Sequence, residues 1–200
     1  MNGSLRRVRF LAVLLAALLA VGCAPSPLLS VHPLFTDRDV TAEPPLSGTW
    51  SGCSNPYPLS MTTANRPSWL RAPSAWVFVK QHDNAYNLTV TIEDGTFQLR
   101  AHLVRLERYR FLNLLPNDAN AQAYGLYMPL NLILRVWIDR DAMQLAWLSD
   151  KTDVSGIAHL SYGFQPVLTA PPQDLQRFFL QQVQNPEAFE RVCFLLRQVE

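Results

Sequence analysis

Between residues 86 and 93, apolar Tyr86, Leu88, Val90 and Ile92 alternate with polar Asn87, Thr89 and Thr91. A period of two marks a strand with one face in a core and the other in water. Asp83-Asn84 before it and Asp94-Gly95 after it tolerate positive φ, so hairpin turns should join this strand to residues 76–81 and 96–106. In the third strand Phe97, Leu99, Ala101 and Leu103 share one parity while Val104 and Leu106 take the other, and a bulge is expected near Leu103-Val104. Residues 132–138 and 143–148 repeat the pattern across the turn Asp139-Arg140-Asp141, and Leu46-Ser47-Gly48-Thr49-Trp50-Ser51 reads as a shorter strand. No helix of convincing length interrupts these strands. The expected fold is mainly β (α+β), an antiparallel meander curled into a barrel or sandwich.

Near the C-terminus the period changes. Leu175, Phe178, Phe179 and Val183 recur at helical spacing, and Phe189, Val192, Cys193 and Leu196 do so again. Pro171-Pro172 suits a first turn, and Asn185-Pro186-Glu187 supplies a cap, an N1 proline and an early acid. Two short C-terminal helices are therefore expected, packed on the sheet or plugging its end. Residues 52–73 and 115–129 are rich in proline and polar residues and read as long loops, the places where recognition tends to sit. Their Tyr57, Trp69, Tyr124 and Tyr127 form a candidate recognition surface, unless they fold back over sheet edges.

The N-terminus has a third pattern. Arg6, Arg7 and Arg9 precede an apolar run over residues 10–20 that ends in Ala20-Val21-Gly22-Cys23. The run is far shorter than the roughly 20 residues that cross a bilayer, and its basic and small-residue flanks are those of a secretory signal peptide. The junction resembles the bacterial lipobox, which implies acylation of Cys23 and cleavage before it; an ordinary signal peptide with Cys23 incidental is the alternative. From Cys23 to Pro45 prolines recur and the chain reads as an extended tether. Within it Val31-His32-Pro33-Leu34-Phe35-Thr36 is more apolar than a spacer requires, which docking on the domain would explain. The expected organisation is a signal peptide over residues 1–22, a lipidated tether over 23–45 and one β-rich domain over 46–200.

Processing changes the charge. The whole chain carries +1, but without the three leader arginines 14 basic residues face 16 acidic ones, or −2. With only Lys80 and Lys151 as lysines and no basic cluster, nucleic acid is not an expected partner. There is no Gly-x-Ser-x-Gly, Cys-x-x-Cys or Ser-x-x-Lys, no second ligand at metal-binding spacing from His32, His82, His102 or His159, and no phosphate-cradling glycine loop. Asp139 with Asp141 and Asp150 with Asp153 are read as turn residues rather than calcium ligands. No catalytic residue, metal or cofactor is assigned. Once Cys23 is lipidated, Cys53 and Cys193 are the remaining thiols in an oxidising compartment, and a disulfide between them is expected. The alternative is that Cys193 is a small buried hydrophobe and Cys53 is free.

Val31-His32-Pro33-Leu34-Phe35-Thr36 with Asp39, then Gly48-Thr49-Trp50, Phe111-Leu112-Asn113-Leu114 and Val167-Leu168-Thr169-Ala170 resemble a group of uncharacterised bacterial lipoproteins. The resemblance spans most of the mature chain and implies an envelope address, with no activity to carry over. Gly48-Thr49-Trp50 is also similar to the Gly-x-Trp of the first lipocalin strand.

Two functions follow as expectations. One is a binding or assembly module, anchored to the membrane through its N-terminal lipid and engaging an envelope protein or an apolar ligand. The other is an envelope enzyme with a site built from scattered residues. Ala24 after the cysteine agrees with the periplasmic face of an outer membrane in a Gram-negative host.

Overall fold

The computed structural model describes residues 27–52, 74–92, 95–117, 130–149, 151–162, 165–185 and 187–198. The strands are β1 (Leu29–Ser30), β2 (Gly48–Gly52), β3 (Ser74–Lys80), β4 (Ala85–Ile92), β5 (Gly95–Leu106), β6 (Tyr109–Pro116), β7 (Asn131–Asp139), β8 (Ala142–Leu148), β9 (His159–Tyr162), β10 (Gln165–Leu168) and β11 (Phe189–Arg197). One helix, α1 (Pro172–Gln182), stands among the described residues. The hydrogen-bonded order β6-β5-β4-β3-β2-β11-β8-β7 closes through β6–β7, so eight antiparallel strands form a barrel. Closure removes the exposed edges that an open sheet would present.

Two of the turns expected from sequence, at Asp83-Asn84 and Asp139-Arg140-Asp141, are where the hairpins need them. Asn84 and Arg140 have φ of 59° and 47°, the left-handed conformation of tight turns. Alternation then sends Trp50, Trp76, Phe78, Tyr86, Leu88, Leu134, Leu145 and Trp147 into the barrel, each at most 1% exposed. Leu46 stoppers one end: its N–H donates to the Tyr86 hydroxyl at 3.4 Å and its carbonyl accepts from Trp50 Nε1 at 2.8 Å. Outside that end the Arg197 guanidinium lies 4.4 Å from the Trp50 ring centroid and donates to the carbonyls of Ser47 and Pro45. The seam between β2 and β11 needs Gly52, because a Cβ there would collide with the Phe194 carbonyl.

The second expected helix is a strand. Residues 189–197 form β11, which pairs with β8 and β2 and closes the barrel. Its register shifts between Arg191 and Cys193, so the buried residues are Phe189, Val192, Cys193 and Leu195. A bulge that resets parity imitates the spacing of a helix face. Asn185 does cap, but it caps a turn: its Oδ1 accepts from the Glu187 N–H at 3.0 Å.

Conversely, β5 has no bulge. Pairing runs without a break from Leu99↔Pro116 to Leu106↔Tyr109. Leu103 points inward, and Val104 and Leu106 are buried outward because something covers the outer face there.

That cover comes largely from the stretch expected to be a tether. Residues 27–30 pair edge-on with β7 and the end of β8, and residues 31–41 run on as a strap over the outside of the barrel to β5, with Leu28, Ser30 and Leu34 at most 2% exposed. Its backbone is paired to the barrel and its neighbours at intervals: Leu28 N–H with the Leu148 carbonyl, Val31 N–H with Leu168, and Thr41 N–H with Leu103. Helix α1 packs beside it through Leu175, Phe178 and Phe179, forming with Phe111, Ile133, Leu148 and Phe189 a second apolar layer outside the barrel.

Candidate interaction surface

Of the segments singled out from sequence, residues 111–114 and 167–170 meet a third, residues 31–36, which is part of the strap itself. The Leu34 N–H donates to Asn113 Oδ1 at 3.0 Å, Asn113 Nδ2 donates to Asn131 Oδ1 at 2.8 Å, and Asn131 Nδ2 reaches the Ser30 and Val31 carbonyls at 3.3 and 3.2 Å. On β10, Leu168 accepts from Val31 N–H. Asp39 Oδ2 gathers the Thr36 N–H, the Thr36 hydroxyl and Gln176 Nε2, all at 2.7–2.8 Å, and so ties the strap to α1. Burial alone would raise the Asp39 carboxyl, but these hydrogen bonds outweigh it and hold it below its ordinary 3.8. The fourth segment, Gly48-Thr49-Trp50, belongs to the barrel end closed by Leu46. Asn113, Asn131, Thr36 and Asp39 thus form an internal latch whose side-chain hydrogen bonds go to other residues of the chain.

His102 belongs to the same region. Its ring stacks on Phe35 at 4.4 Å between centroids, and its Nδ1 is buried without a partner. Burial, helped by the Arg100 charge and opposed by Asp83, depresses its pKa below 6.5, so the imidazole is held neutral.

Around the barrel from the latch, the outer face of β7, β8 and β11 carries side chains with no such cover. Trp137, Gln144 and Phe194 are register neighbours on these three strands, and Leu196 follows on β11. Trp137, Phe194 and Leu196 are 37%, 36% and 50% exposed, unusual for large apolar groups. Arg135 borders them, its guanidinium 4.5 Å from the Trp137 ring, 5.2 Å from Tyr109 and 5.4 Å from Phe189. Partial burial lowers its pKa from the ordinary guanidinium value, against the pull of Tyr109, and no carboxylate pairs with it among the described residues. Tyr109 accepts from Arg108 Nη2 at 2.9 Å, which lowers the phenol, and from Gln184 Nε2 at 3.2 Å. Exposed aromatics beside a cation are the composition of protein-binding hot spots.

A separate cleft of about 450 Å³ opens between the 153–158 loop and α1, lined by Asp153, Ser155, Ile157, Asp174, Arg177 and Phe178. Its carboxylates are already engaged: Asp153 accepts from the Ser155 N–H, which lowers its pKa, and Asp174 pairs with Arg177. Among the described residues no three His, Cys, Asp or Glu side chains converge as a metal site, and no helix is long and apolar enough to cross a membrane.

Of the residues singled out from sequence, Cys23, Cys53, Tyr57, Trp69, Tyr124 and Tyr127 lie outside the described residues. Both long loops do spring from one barrel rim, since Gly52 pairs with Ser74 and Pro116 and Asn131 end neighbouring strands there. Cys193 is 2% exposed in the core and is disulfide-bonded; its partner lies outside the described residues. Sequence reasoning passed over Trp137 and Arg135. The available clue was a tryptophan at the water-facing parity of an alternating strand.

Comparison with protein-family models, with curated proteins and with solved structures finds no match.

Proposed function

We propose that the chain is an exported protein, anchored to the bacterial envelope by acylated Cys23, whose barrel serves as a binding or assembly module for another envelope protein. The observation that carries this reading is the contrast between inside and outside. Trp50, Trp76, Phe78, Tyr86 and Trp147 fill inward positions that a carrier of apolar ligands would keep free, while Trp137, Phe194 and Leu196 stand on the outer face beside the Arg135 guanidinium, which has no carboxylate partner among the described residues. Recognition therefore belongs to the surface.

A photocrosslinking residue placed at Trp137 in intact cells should yield one discrete adduct, lost on Arg135→Glu, while the same residue at Thr89 on the far wall yields none. Equal labelling from both positions would count against the surface. Cys23→Ser should release the protein from membranes or leave its leader uncleaved; unchanged fractionation and unchanged mass would remove the anchor.

The reading also includes Cys53 as the partner of Cys193. Gly52, the residue before Cys53, pairs with Leu195, two positions along β11 from Cys193. Such a bond closes a loop of more than 100 residues, worth roughly 4–5 kcal/mol in the chain-entropy model. Non-reducing alkylation should leave both thiols unlabelled, and labelling of Cys53 would reject the pairing.

A further inference from the structure

The anchored reading has a geometric consequence. Only Ala24, Pro25 and Ser26 separate Cys23 from Pro27, whose backbone bridges Ser149 on the barrel. Fully extended, four residue steps reach about 14 Å. Whatever surrounds Pro27 is therefore held within about 14 Å, roughly two headgroup layers, of the lipid that Cys23 carries.

What surrounds it is a small sheet. Leu29 of β1 pairs in parallel with Val167 of β10, and Val167 pairs with Leu160 of β9, so the three form one row. Two strand spacings put Leu160 about 10 Å from Leu29. β9 is the last strand of the sheet, and Leu160 is 62% exposed, the most open of the large apolar side chains described. The chain around it is also without charge. From Val154 to Gln173 twenty consecutive residues include no Asp, Glu, Lys or Arg, in a protein that is 16% charged. The hairpin itself is spelled His159-Leu160-Ser161-Tyr162-Gly163-Phe164-Gln165-Pro166. Burial accounts for Ile157, Leu168 and Ala170, but Ser155, Gly156, Ala158, Leu160 and Ser161 are exposed, and a surface facing only water has no reason to exclude charge there. A segment resting among headgroups and acyl ends does, because ionised groups resist that layer while an exposed leucine favours it.

We propose that the edge strand β9, with Leu160 exposed beside β10, is the membrane-apposed face of the protein, seated in the interfacial layer of the bilayer that holds the Cys23 lipid. The proposal rests on the anchored reading. It fixes orientation: a lipidated N-terminus and an uncharged edge strand give two adjacent points of attachment, where a flexible tether would give one. The wall across the barrel, β3, then faces away from the lipid.

The test uses the mature full-length lipoprotein in vesicles of phosphatidylethanolamine and phosphatidylglycerol containing a headgroup-region nitroxide lipid. Leu160→Cys carries an environment-sensitive fluorophore, Ser161→Cys repeats the measurement at the neighbouring exposed position, and Val79→Cys on β3 is the reference. Intact mass first establishes the acyl chains. With acylation present, quenching at 160 and 161 should exceed that at 79 by about threefold or more. Equal, weak quenching at all three positions on an acylated chain overturns the membrane-facing edge strand and leaves the anchor standing. A mature chain without acyl mass overturns the anchored reading, and the edge-strand proposal falls with it.

Discussion

The two walls of this barrel share an interior and differ outside. On β3, β4 and the first half of β5 the outward residues are Val77, Val79, Asn87, Thr89, Thr91, Gln98 and Arg100, which meet water or one another, as where Thr89 Oγ1 donates to Gln98 Oε1. On β6, β7 and β8 the outward residues include Phe111, Asn113, Ile133, Ala146 and Leu148, all buried beneath the strap and α1. The bare wall shows what a strand needs to be a strand: one apolar face. The covered wall shows what is added when a barrel carries its own outer layer, and its loss should be felt by the whole fold.

The largest effects should fall on the covered wall. Phe179→Ala removes a fully buried ring packed edge-on against Phe111 at 5.7 Å, and should cost about 3–5 kcal/mol by urea unfolding. Val79→Ala, on the bare wall, should stay within about 0.5 kcal/mol. Equal costs for the two would erase the distinction.

Next comes the buried amide network. Asn113→Ala leaves the Leu34 N–H and the Asn131 carbonyl oxygen unmatched in the interior, and a loss of about 1–3 kcal/mol is expected in the same assay. Thr89→Val, which deletes a half-buried hydroxyl contact at the water-facing side of the bare wall, should cost less than about 1 kcal/mol. A silent Asn113→Ala would mean that the latch is incidental.

Acidity should loosen the strap in two stages. His102 is held neutral in the fold while the unfolded chain takes up a proton near 6.5, so stability falls as pH drops below that value. Asp39 is held ionised below 3.8, so its contribution is complete above pH 3.8 and is lost as pH falls through its lowered value. Urea midpoints should therefore decline between pH 8 and 5.5 and again below about 4. His102→Phe, which keeps the stack on Phe35, should flatten the first decline, and Asp39→Asn the second. An unchanged pH profile in either variant would exclude that residue as the cause.

The smallest effect is reserved for the bare wall's ion pair, Arg100 with Asp83, whose side chains are about half exposed. Asp83→Ala should shift stability by less than about 1 kcal/mol, and less still in high salt.

Legibility from sequence followed the same division. The β3–β4–β5 run and the β7–β8 hairpin were readable because one face is wet, leaving a clean alternation of two. On β6, Phe111, Leu112, Asn113 and Leu114 are all buried, so no alternation exists to find. β11 was misread because its bulge places Phe189, Val192 and Cys193 at helix-like intervals. The strap looked like a tether because its prolines fit an extended chain; that Leu28, Ser30 and Leu34 have buried partners 79 to 138 residues away is a fact of tertiary structure alone. The exposed Trp137 surface was visible in principle, as an aromatic at a polar-parity position, whereas Arg135 gains its meaning only from three rings brought to it by different strands.

The central claim is that residues 27–41 belong to the domain, leaving three residues between the proposed anchor and the fold. Native-state hydrogen exchange of the mature chain tests it most directly. The amides of Leu28, Val31, Leu34 and Thr41, each donating to a partner across the chain, should exchange only as slowly as those of the covered strands β6 and β7. Exchange of these four at the rate of an unstructured peptide, with β6 and β7 still protected, would show a tether after all and contradict the account.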